Sequence, residues 1–119
     1  MVYTAGTLSL AALEMLVQLS DHKLLENYIY IEVEFSKDRV HAIPSEALPA
    51  QWNSMPASFS TKTIGDNWAR SNISLVLEVP SVIIPVEMNH LFNPNHPEFR
   101  SLKFHPPHSF AFDQRLSGK

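Results

Sequence analysis

One carboxylate interrupts the most apolar stretch of this chain. Residues Leu8 to Leu19 read LSLAALEMLVQL, and Glu14 is the only charge among them. Burying a carboxylate is costly unless a partner or a task holds it there. Glu14 therefore either lies with Gln18 on the wet strip of a helix or points into a pocket that uses its charge. Periodicity alone favours the wet strip, because Glu is seldom fully buried. Three further places carry polar groups able to do chemistry. Tyr3 precedes the apolar stretch, and a lone tyrosine is most often a rim residue with a satisfied hydroxyl. Ser81 follows Pro80 at a strand end, where serines commonly satisfy turn amides. The run Asn89-His90-Leu91-Phe92-Asn93-Pro94-Asn95-His96-Pro97 is denser in polar, turn-forming residues than a plain connection requires, although such loops often serve as rigid corners.

Other chemistries are excluded by what the chain lacks. Without cysteine there is no disulfide frame, thiolate metal site or thiol nucleophile. The six histidines follow no zinc-ligand spacing, so no metal is expected. With glycine only at positions 6, 65 and 118, the chain has no glycine-rich phosphate loop and no G-x-S-x-G elbow. The net charge of −3 and the absence of any Lys/Arg run argue against a nucleic-acid surface. No apolar stretch is long enough to span a bilayer, and the start does not read as a secretory signal. A cytoplasmic location is the expectation.

The elements that must position these residues follow from pattern. At 119 residues, with 45% apolar and 18% charged residues, the chain has the composition of one globular domain. Val2 to Ala5 reads as a short strand, and Gly6-Thr7 turns it into a helix capped by Thr7 or Ser9 and running to about Leu19. Apolar residues point in nearly every direction around that helix, which predicts that it is mostly enclosed. YIYIEVEF, from Tyr28 to Phe35, alternates strictly and predicts one half-buried strand with Ile29, Ile31, Val33 and Phe35 on its apolar face. Val40 to Ile43 is a short strand. The three prolines Pro44, Pro49 and Pro56 predict a loop with one helical turn over 44–56, pinned to the core by Trp52. Ser60 to Arg70 reads as a helix with Ile64 and Trp68 on one face. Ser74 to Val79 is a strand, continued as an extended run through Val82, Ile83 and Ile84. The tail after Pro85 reads as loop-rich, with a short helix from Pro97 to Ser101 and brief strands at 103–104 and 110–112. The fold class expected is a single mixed α/β domain (α+β), a small mixed sheet with a central buried helix.

Four blocks taken together resemble the RES-domain family, toxins of bacterial toxin–antitoxin pairs. They are VYTAGTLSLAALEMLVQL from Val2, YIYIEVEF from Tyr28, IGDNWARSNISLVLEVPSVIIPVEMNHLFNPNHPEF from Ile64, and FAFDQRL from Phe110. The combination of Y-T-A…L-E-x-L-V with V-P-S…N-x-L-x-N-P-x-H-P spans almost the whole chain. The family name abbreviates Arg, Glu and Ser; Glu14 matches its glutamate and Ser81 its serine. The resemblance implies an ADP-ribosyltransferase-like fold that degrades NAD⁺ as substrate, in the manner of a glycohydrolase or phosphorylase. It implies neutralisation by a cognate helix-turn-helix, Xre-like antitoxin. It assigns catalysis to Glu14, Tyr3 and Ser81, and adds Asn89 and Asn93 to the nucleotide-binding wall. Two departures are visible. The family motif usually has Tyr where this chain has His90. Members also begin earlier, with a strand and a G-R-W-type segment that supplies the Arg, so residues 1–119 read as an N-terminally shortened RES domain. Losing that Arg would remove a bidentate pyrophosphate contact of about 1.5–3 kcal/mol. The uncovered sheet edge would suit an antitoxin or a homo-oligomer. The rival expectations are a protein ADP-ribosyltransferase of the same fold and an inactive antitoxin-binding module.

Overall fold

The computed structural model describes residues 1–18, 27–50, 52 and 59–117. Its centre is a four-stranded mixed sheet. The strands are β1 (Val2–Ala5), β4 (Val40–Ala42), β5 (Val76–Pro80) and β6 (Met88–Phe92), arranged β1-β6-β5-β4. The β4–β5 pair is parallel and the other two pairs are antiparallel. Two small ribbons accompany it: β2 (Tyr28–Tyr30) pairs with β8 (His108–Phe110), and β3 (Val33–Glu34) with β7 (Lys103–Phe104). Helix α1 spans Leu8–Gln18 and α2 spans Phe59–Ser71. This is the mixed α/β domain expected. Short 3-10 turns at Ser45–Ala47 and Phe99–Ser101 stand where single helical turns were expected.

Register sorts the side chains, because directly paired residues share a sheet face. Tyr3, Ala5, Asn89, Leu91, Leu77 and Val79 lie on one face; Val2, Thr4, His90, Phe92, Val76 and Glu78 lie on the other. Each face has its own core. The first packs Leu77 and Leu91 against Trp68 of α2, and the second packs Val76 and Phe92 with Leu75, Leu102, Phe35 and Phe99. Helix α2 ends at Asn72, whose φ of 54° is the left-handed cap that Asn tolerates better than most residues. Asn93, 1% exposed, donates from its amide to Ala69 O and Asn72 Oδ1 and so ties that helix end to β6. Trp68 Nε1 donates to Ser74 Oγ at 2.8 Å.

Several expectations are corrected. The stretch from Tyr28 to Phe35 is two strands in two ribbons, and Ile29 and Ile31 are 63% and 47% exposed. Both line a cleft together with Tyr30, and neither belongs to a core cluster. Val33 and Phe35 do pack on the core. Val82 to Ile84 do not extend β5; the chain turns there, with Ser81 N donating to Glu87 O and Glu87 N to Ile84 O. The supposed loop that follows contains β6, a central strand. Helix α1 is also less enclosed than its wheel suggests. Leu10 is buried, whereas Leu8, Leu13, Met15 and Val17 are exposed, because the helix packs beside the short edge strand β1. Trp52 is half-buried, while its neighbours in the expected loop, 51 and 53–58, and the expected helix stop at 20–22 lie outside the described residues.

Candidate active site

The site forms where β1 hands the chain to α1. Gly6 makes that turn against Met88: its amide donates to Met88 O, and a Cβ on Gly6 would come within 3.2 Å of the same oxygen. Thr7 then caps α1, its hydroxyl accepting from Leu10 N at 3.1 Å. The cap fixes the helix phase, and Glu14 falls on the turn that faces the start of β6 and the end of β5.

There its carboxylate is held at both oxygens. Asn89 Nδ2 donates to Oε1 at 3.0 Å, and Ser81 Oγ donates to Oε2 at 3.0 Å. Both donors are completely buried. Ser81 is oriented from behind, its oxygen accepting from Ile83 N and Ile84 N, so its one hydrogen is left for Glu14. Asn89 is oriented by a second donation to Thr4 O and by Tyr3, whose hydroxyl donates to Asn89 Oδ1 at 2.7 Å. Tyr3, Asn89, Glu14 and Ser81 thus form one continuous chain of hydrogen bonds. Among the described residues no buried polar side-chain atom lacks a partner.

Tyr3 is 58% exposed, yet its hydroxyl end abuts buried Asn89. Burial at that end, and secondly the negative charge of Glu14, push its phenol up to about 12. Tyr3 therefore remains a neutral donor at physiological pH. Tyr3 also lines a cleft of about 590 Å³ that follows β1 and is walled by the segment from Ile29 to Val33 and by the first turn of α1. Glu14, Ser81 and Asn89 do not line this cleft; Tyr3 joins it to the carboxylate.

The structure brings together four of the five residues singled out in the sequence. Asn93 is elsewhere, one face of its role being the α2 tie, with Oδ1 accepting from Asn95 N. A polar pair escaped notice: Glu78 Oε2 accepts from His90 Nε2 at 2.9 Å on the opposite sheet face. The signal was available, since Glu78 is the one charge in SLVLEV, as Glu14 is in its helix.

The chain is similar over nearly its whole length to proteins of one family. A sequence model of the RES domain matches residues 1–113. A protein named Toxin Res from Yersinia enterocolitica serotype O:8 is 39% identical over 116 residues, covering 97% of this chain and 76% of that protein. A protein named Prs ADP-ribosylating toxin from Sphingobium sp. is 36% identical over 122 residues, covering 99% and 75%. Toxin Res from Pseudomonas putida is 34% identical over 119 residues, covering 97% and 78%. The chain spans about three quarters of these relatives, and it belongs to the RES-domain toxin family.

Proposed function

We propose that this protein is a toxin-type enzyme that breaks the bond between nicotinamide and ribose in NAD⁺. The observation that carries this reading is the two-sided grip of Asn89 and Ser81 on Glu14, with Tyr3 at the cleft. In the reaction the C1′–N bond breaks and its electron pair leaves with the nicotinamide nitrogen. Positive charge grows on the ribose, and a prearranged carboxylate stabilises it. Nicotinamide departs neutral from a cationic precursor, so one carboxylate suffices where sugar hydrolases need two. Water then bonds to C1′ and releases a proton, giving ADP-ribose; phosphate in place of water gives the phosphorylated sugar.

Each Glu14 oxygen accepts one bond within the site, which leaves acceptor capacity for a ribose hydroxyl or the incoming water. Because Asn89 and Ser81 are oriented before substrate arrives, the carboxylate need not reorganise during reaction. Tyr3 contributes its ring to the nicotinamide end and keeps Asn89 turned toward Glu14. The toxin names of the relatives support a cognate antitoxin as partner.

The test is nicotinamide release from NAD⁺ by the purified protein, against a Glu14→Ala control. Turnover that vanishes in the control is expected; no turnover in either overturns the reading. A second reading, transfer of ADP-ribose to a protein, is favoured by the name of the Sphingobium relative. Products separate the two: free ADP-ribose or its phosphate marks the first, and a protein heavier by one ADP-ribose marks the second.

A further inference from the structure

Between the two residues that grip Glu14, the chain passes through Glu87, a carboxylate that the chemistry at Glu14 leaves unused. Residues 81–87 form a closed turn. Ser81 N donates to Glu87 O at 2.8 Å, and Glu87 N donates to Ile84 O at 2.9 Å. Inside the turn, Ile83 N and Ile84 N donate to Ser81 Oγ at 3.1 and 3.2 Å. Val86 near its tip is 88% exposed, so the turn is anchored at its base, between Ser81 and Glu87.

The side chain of Glu87 reaches the other half of the site. Its Oε1 accepts from Thr7 Oγ1 at 3.4 Å, while the same hydroxyl oxygen accepts from Leu10 N at 3.1 Å. A hydroxyl has one hydrogen, and giving it to Glu87 turns the lone pairs toward the first-turn amide. Helix α1 has no acidic residue in its own first turn, so Glu87 supplies the negative charge that a helix N-terminus favours. At 3.4 Å the bond is long and contributes little to stability. What it fixes is orientation. Among the described residues no ion pair competes for this carboxylate.

We propose that Glu87 is a positioning residue: by joining the Thr7 cap of α1 to the turn that carries Ser81, it sets where Glu14 stands between its two donors. The inference rests on the reaction proposed above and deepens it. Glu14 lies about 10 Å along the helix from Thr7, so a tilt at the cap reaches the carboxylate as a displacement. A misplacement of about 1 Å at a reacting group costs on the order of 100-fold in rate.

Nicotinamide release and NMR of the Asn89 side-chain amide test this together. Glu87→Ala is expected to lower kcat about 10- to 100-fold, with KM within about twofold and a melting curve close to wild type. Glu87→Gln keeps an acceptor for Thr7 and is expected to recover most of that rate. Thr7→Asp still caps Leu10 N but has no hydrogen for Glu87, and a comparable fall in kcat is expected. Combining it with Glu87→Gln reverses the direction of donation and is expected to restore the rate, a rescue that lost folding cannot imitate. The Thr7→Asp pair carries the test if Glu87→Ala fails to fold. Full kcat in a folded Glu87→Ala protein, or a double variant no faster than Thr7→Asp, overturns the proposal.

The Asn89 amide, which donates to Thr4 O and Glu14 Oε1, reports the grip without turnover. Its proton shifts are expected to move in Glu87→Ala and Thr7→Asp and to return in the double variant. Unmoved Asn89 signals overturn the proposal whatever the rates. Signals that follow the expected pattern in a protein releasing no nicotinamide remove the proposed reaction and leave the positioning role of Glu87 standing.

Discussion

Asn89 Nδ2 reaches Glu14 Oε1 at 3.0 Å across 75 positions of sequence, joining the central strand β6 to helix α1. The same amide group answers Tyr3 on its oxygen and Thr4 on its nitrogen, so one buried side chain sets the geometry of β1, α1 and the carboxylate together. Replacing Asn89 by Ala leaves three groups short of a partner, and a loss of about 1–3 kcal/mol in denaturant unfolding is expected. Asn89→Asp is more informative. It sets a second carboxylate beside Glu14, and like charges at this range disfavour joint ionisation. That variant is expected to regain stability as pH falls from 7 toward 5, whereas Asn89→Ala is expected to show no comparable gain.

Tyr3 carries a pH signature. Its phenol is raised from 10 to about 12 in the folded protein, by burial and then by Glu14. A group whose folded value exceeds its unfolded value contributes stability below the unfolded value and loses it as pH climbs through the folded one. Stability dependent on Tyr3 is therefore present below pH 10 and falls away between about 10 and 12. Spectrophotometric titration of the folded protein should show a phenolate step near pH 12 that disappears in Tyr3→Phe. A step lost near pH 10 in Tyr3→Phe, in place of one near 12, would show the hydroxyl to be in open water.

Ser81→Ala separates orientation from folding. The change removes a donor to Glu14 and the acceptor for two turn amides. A charge-assisted hydrogen bond worth about 1.5–3 kcal/mol corresponds to roughly a 10- to 150-fold fall in kcat for nicotinamide release. Ser81→Thr keeps the hydroxyl and is expected to recover part of the rate. Equal losses in both variants would instead point to disturbed packing at the end of β5.

Asn93 provides the contrasting case. Its bonds go to Ala69, Asn72 and Asn95, none of them in the Tyr3–Ser81 network. Asn93→Ala is expected to cost about 1–3 kcal/mol of stability through unpaired buried groups. The nicotinamide-release rate of the folded fraction should stay within twofold of wild type. A rate that collapses at unchanged stability would return Asn93 to the nucleotide wall.

These contrasts show what the sequence could and could not reveal. Helix α1, its Thr7 cap and the strand before Pro80 were legible because capping chemistry and apolar runs are local signals. Strand β6 was not. Met88 to Phe92 lacks β-branched residues and is followed by turn formers, so its strand character comes from β1 and β5 on either side. The exposure of Ile29 and Ile31 was equally hidden, since alternation reports two faces without saying whether a face meets a core or a cleft. At the site, Glu14 stood out as a charge in an apolar run. Its grip by Asn89 and Ser81, residues 75 and 67 positions away, is set by tertiary packing. Asn93 has the same side chain as Asn89 and lies four positions on, yet it does structural work at the end of α2.

The most direct measurement is nicotinamide release by Glu14→Gln, a variant that keeps the length of the side chain and an acceptor for Asn89 while removing the charge. With melting curves close to wild type, its rate is expected to fall about 100- to 1,000-fold, the scale on which a prearranged electrostatic partner acts. Undiminished release by a folded Glu14→Gln protein would contradict the account.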